Sequence, residues 1–109
     1  MPMFNNSAVS GAGTVVDSSS LTLATADAGV TRVPSGSLTY TLNPATAWTV
    51  GQVAPIFLPT SGTVSFAVTG GATLNGSTST LTRTLGGNSA GTVVLRRIQG
   101  TNAYGLDGA

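Results

Sequence analysis

The stretch Ser37-Leu38-Thr39-Tyr40-Thr41-Leu42 alternates hydroxyl-bearing and apolar side chains residue by residue. A strand sorts such a run into one wet and one dry side, because its successive side chains point to opposite faces. The same period of two returns further along. Val64, Phe66 and Val68 alternate with Thr63, Ser65 and Thr69, and Leu81 and Leu85 bracket Arg83. Val93, Leu95 and Arg97 interleave with Val94, Arg96 and Ile98. No window longer than about ten residues keeps a helical stripe free of Gly, Pro or a Ser/Thr cluster, so helix is expected to be nearly absent.

Turn chemistry punctuates the chain at short intervals, as in an all-β sandwich or barrel: Ser35-Gly36, Asn43-Pro44, Ser61-Gly62, Gly70-Gly71, Asn75-Gly76, Gly86-Gly87-Asn88 and Ala90-Gly91. Asn75-Gly76 is a two-residue hairpin signal, since both residues tolerate positive φ. Strands are predicted near 21–24, 29–33, 37–42, 52–58, 63–68, 72–74, 79–85, 92–98 and 102–106. Pro55 removes a ladder donor from the run Val53 to Leu58, which places that run at an edge or a bulge. The expected fold is all-β, a single antiparallel β-sandwich or barrel over residues 21–109. Residues 1–20, rich in Asn, Ser and Gly and anchored only by Phe4, Val9, Val15 and Val16, read as an extended N-terminal arm. The triplets Thr39-Tyr40-Thr41 and Thr80-Leu81-Thr82 invite a β-solenoid, but their spacing does not recur.

The composition narrows function more than the motifs do. Among 109 residues there is no His, Cys, Lys or Glu, and the formal net charge is +1. Enzymes move protons or hold metals chiefly with those residue types, so no catalytic set, no cofactor and no metal site is expected. The aspartates Asp17, Asp27 and Asp107 stand apart beside likely turn residues and read as caps on their own backbone. The glycine clusters lack the strand–loop–helix context of a phosphate cradle. No broad field draws the chain to nucleic acid or to an anionic membrane, and neither is an expected partner. No stretch reaches the roughly 18 apolar residues of a spanning helix. The start, Met1 to Ser7, lacks the basic and apolar regions of a secretory signal, so synthesis in a cytoplasm without a cleaved address is expected.

A charged fraction of 6% is far below the roughly 25% of ordinary soluble domains, yet the chain is 40% hydrophobic. A surface so short of charge is expected to be covered by copies of itself or by a partner. The candidate contact residues are Phe4 and Val9 in the arm, Arg83, Arg96 and Arg97 on strands, and Trp48 in a loop. Arg suits a subunit-interface ion pair, and indole is a common interface anchor. Trp48 has a second reading, as a plug at one end of the core. Phe57 and Phe66 read as core.

From about residue 23 to 108 the order of features resembles a small β module of tailed-bacteriophage virion proteins. The resemblance rests on Asp27-Ala28-Gly29, Val30 to Val33, Leu38 to Leu42, Val50-Gly51, Gly62-Thr63-Val64, Gly71 to Gly76, Thr92 to Ile98 and Tyr104-Gly105-Leu106-Asp107-Gly108. Members of that family often carry Lys or Gln in these strands, where this chain has mostly Thr and Arg. The resemblance implies a virion protein that assembles, commonly as a homotrimer. A capsid decoration (cement) protein bound to the major capsid protein or another virion protein is the reading that the short length favours. The alternative is a fibre or tail-tip module that binds a host receptor or glycan through outward Trp48, Tyr40, Tyr104 and the arginines.

Overall fold

The computed structural model describes residues 13–58, 62–84, 92–99 and 102–108. Phe4 and Val9, with the turn signals at Ser61, Gly86-Gly87-Asn88 and Ala90-Gly91, lie outside them. Among the described residues ten strands follow one another: β1 (Thr14–Asp17), β2 (Leu21–Thr22), β3 (Thr31–Pro34), β4 (Leu38–Leu42), β5 (Val53–Phe57), β6 (Thr63–Val68), β7 (Thr73–Leu74), β8 (Leu81–Thr84), β9 (Thr92–Gln99) and β10 (Ala103–Gly108). The only helical pieces among the described residues are single 3-10 turns at Thr25–Asp27 and Pro44–Thr46. The protein is all-β.

The strands fall into two sheets. One has six strands in the order β1-β3-β5-β9-β10-β7, and the other has four in the order β2-β4-β6-β8. Through β9 the chain therefore changes sheet at every connection. Each strand from β3 to β6 is laid parallel to the strand two before it: β3 on β1, β4 on β2, β5 on β3 and β6 on β4. Antiparallel pairing is confined to β5–β9, β9–β10 and β6–β8.

The expected antiparallel arrangement is thus corrected for the first six strands and for β7, which lies parallel to β10. Parallel neighbours need a crossover, and here the crossover is a strand of the opposite sheet. The path is a flattened coil whose turns differ in length, which is why no repeat shows in the sequence.

Two further differences have local causes. Residues 14–17 belong to no free arm: they form β1 on the edge of the larger sheet, paired in register with Thr31 to Pro34. Pro55 lies in an interior strand, not at an edge. It is accommodated because the β3–β5 register is reduced to one partnered position, Arg32 with Ile56. Asn75-Gly76 makes the anticipated turn, with φ of 51° and 78°, although only Leu74 and Ser77 pair across it.

One core is shared by inward side chains of both sheets. Leu38, Tyr40, Leu42, Val64 and Phe66 come from the smaller sheet, and Ala54, Ile56, Leu74, Val93, Leu95, Tyr104 and Leu106 from the larger. Alternation puts the residues between them on the outer faces. Phe66 is core as expected, but Phe57 falls on the outward parity of β5 and is half exposed.

Candidate functional site

The least expected feature is an ionic centre at the β1–β3 edge. Parallel register sets Asp17 beside Pro34 and Val15 beside Arg32, so Asp17 and Arg32 share the inward face. The Arg32 Nε and Nη2 donate to the two carboxylate oxygens of Asp17 at 2.7 and 2.8 Å, a bidentate pair with both side chains buried. The Tyr40 hydroxyl donates to the same Asp17 at 2.7 Å. Arg32 Nη1 donates to Asp27 at 2.7 Å, while the other oxygen of Asp27 accepts from Ala24 N and closes the 3-10 turn.

Hydrogen bonding from Arg32 holds the Asp17 carboxyl below its ordinary range against the opposing effect of burial, with Tyr40 assisting. Asp17 in turn holds Arg32 firmly charged. Burial, and then the hydrogen bond to Asp17, push the Tyr40 phenol up, so it stays neutral. The guanidinium fills the place between two carboxylates that a cation would need. Among the described residues no group of three or more acidic, His or Cys side chains is placed to hold a metal ion.

A second centre closes the core around Trp48. Asn43 caps the turn Pro44–Thr46 through Ala45 N, and the Thr46 hydroxyl donates to Leu23 O at 2.7 Å. Ala47 then takes a left-handed conformation, φ 43°, after which Trp48 lies buried in the core. Its Nε1 donates to Ala24 O at 3.0 Å, and its ring meets Tyr104 edge-on at 5.8 Å. Arg97, buried on β9, donates to Trp48 O at 2.7 Å and sits 5.4 Å over the Tyr104 ring. Trp48 is therefore the plug, and Arg97 the residue that pins it. Neither offers an outward contact within this fold.

The remaining candidates lie nearer the surface. Arg83 is half-buried on β8, opposite Val64, and donates to the carbonyl of Thr82. Arg96 points outward and pairs with Asp107 of β10 at 3.0 Å, with both side chains exposed. Every one of the seven charged side chains thus has a partner inside the chain. Asp27 does cap a turn as expected, but Asp17 is buried and Asp107 lies in a strand; those two expectations are corrected. Tyr40, Trp48 and Tyr104 are buried, so stacking on a sugar through them is not available.

The outer faces differ in kind. Alternate residues of the smaller sheet put Thr22, Thr39, Thr41, Thr63, Ser65 and Thr82 outward, with Ala67 the one apolar interruption. The larger sheet puts Val16, Val33, Val53, Pro55, Phe57, Val94 and Ile98 outward, with Thr14 and Thr31 beside them at the β1–β3 edge. Val16 is 67% exposed, Phe57 50% and Ile98 45%. Ile98 lies over Gly105, where an added Cβ would stand 3.4 Å from its Cδ1. The single ion pair Arg96–Asp107 is set into this apolar face. Asp17, Arg32 and Phe57 carry these features and were not among the sequence candidates.

No family model, no curated protein and no solved structure matches the chain.

Proposed function

We propose that this chain is a structural virion module: a β-sandwich that self-associates and binds an assembled capsid as a decoration protein. The observation that carries the reading is that five of the seven charges pair with one another, while Arg97 is buried on the Trp48 carbonyl and Arg83 is half-buried on that of Thr82, which leaves a hydroxyl face and a largely apolar face as the main chemistry on offer. Such surfaces work by area and shape. The order of motifs from Asp27-Ala28-Gly29 to Tyr104-Gly105-Leu106 supports the virion setting.

The mechanism is linkage. A module that binds the assembled lattice but not its free subunits stabilises the lattice by an amount that grows as the logarithm of one plus the ratio of its free concentration to its dissociation constant. Apolar burial at roughly 25 cal/mol per Å² makes many small contacts sum to a large effect. The test is immunogold labelling of particles from the source lysate with antibody to this chain. Label at many positions over the capsid is expected. Label at a single vertex moves the module to a tail or fibre, and unlabelled particles overturn the virion reading.

A further inference from the structure

We infer that the outer face of the six-stranded sheet is the contact between copies, and that a second copy of this chain docks on it face to face about a two-fold axis. The inference rests on the self-association proposed above and names its surface and geometry.

The face is continuous across five adjacent strands. In register, Val16 of β1 lies beside Val33 of β3; Pro55 of β5 lies beside Val94 of β9, and Val94 beside Asp107 of β10. Val53 faces Arg96, and Arg96 faces Gly105. Phe57 and Ile98 stand at half exposure on the same side. Ordinary outward strand faces carry polar residues, as the Thr-rich face of the smaller sheet does. Here two sheets of one chain have opposite surface chemistry, so the apolar face is not a general consequence of low charge.

Charge selects the occupant. An isologous contact brings a patch against itself, so the patch must be self-complementary. A face with one sign of charge would repel its own copy. This one carries a single Arg and a single Asp side by side, 3.0 Å apart and both exposed. A two-fold axis near that pair places each Arg96 against the other copy's acidic group and each Asp107 against its basic one.

Size agrees. Five strands about 4.8 Å apart, each showing about five residues at ~3.3 Å, make a plane on the order of 400 Å². Two such faces, with side-chain relief counted, bury on the order of 1,000 Å², the lower bound for a specific contact. Sheets packed this way keep their strands roughly aligned. The resemblance implies three copies; a two-fold face requires two copies or an even multiple.

The experiment uses the full chain in light scattering and sedimentation equilibrium, with circular dichroism to confirm the fold of each variant. Phe57→Asp is expected to raise the dissociation constant by about 100-fold or more. The deciding arm is a mixture. Arg96→Asp and Asp107→Arg proteins are each expected to be monomeric, since each presents two like charges to its own copy. Mixed in equal amounts, they are expected to form a one-to-one complex. An ion pair that acts only within one chain gives no such rescue.

If the wild type associates but all three variants keep its mass, the face assignment is overturned while self-association stands. A wild-type mass of three copies overturns the two-fold geometry. A wild type that stays monomeric at high concentration overturns both this inference and the self-association beneath it.

Discussion

Arg32 is the residue on which the ionic centre turns, because it answers both Asp17 and Asp27. Arg32→Met keeps the length of the stem and removes the charge. It leaves the Asp17 carboxylate buried with only the Tyr40 hydroxyl, and breaking a buried pair in this way costs ~3–5 kcal/mol. The pH dependence gives the sharper check. In the native protein the Asp17 carboxyl is held below its ordinary value, so its contribution is complete above the unfolded pKa of about 3.9 and is lost as pH falls through the folded one. Without Arg32, burial dominates and raises that carboxyl, and the sign reverses: this group's contribution then falls as pH rises past the carboxylate range. Urea unfolding at about pH 3 and about pH 7 is expected to show a positive slope for wild type and a flat or negative one for the variant. None of this was legible in the sequence. Asp17 sits in a Ser-rich stretch that reads as a turn, and its partner is fifteen residues away on a strand brought alongside by parallel pairing.

At the scale of elements, the strands were legible and their neighbours were not. The run Leu38 to Leu42 shows its dry side in the letters themselves, and the observed β4 covers those residues. The same alternation suits a hairpin and a change of sheet equally well, so Thr/Val patterning alone does not choose between antiparallel and parallel neighbours. Trp48 was half legible: its loop was visible, but its direction depended on a left-handed Ala47 that no residue preference suggests. Strand β1 was hidden because it is short and polar at its flanks. Its role is open to truncation. Removal of residues 1–20 takes away β1 and Asp17 and leaves Arg32 without its buried partner. That protein is expected to unfold with at least ~3 kcal/mol less stability than one lacking only residues 1–12, measured by urea denaturation.

For the molecule as a whole, the internal pairing of its charges sets how it meets other surfaces. Exposed charges steer association over distances that salt shortens, from ~30 Å at 0.01 M to ~3 Å at 1 M ionic strength. A neutral hydroxyl face and an apolar face have little to screen; within the proposed two-fold contact only the Arg96–Asp107 pair is sensitive. The self-association constant is expected to change by less than about threefold between ~0.05 and ~0.5 M NaCl, read by sedimentation equilibrium. A steep loss with salt would show that charge, and not apolar area, holds the copies together.

The coiled path through β1 to β6 also governs how the chain reaches its native state. Each strand from β3 to β6 pairs with the strand two before it, so chain segments adjacent in sequence do not pair with each other there and local pairings are of little help at the start. Folds dominated by such distant pairings close in milliseconds to seconds, where helical bundles need microseconds to milliseconds. During synthesis β1 emerges first and waits, with Asp17 still in water, for Arg32 to arrive and fasten the first winding.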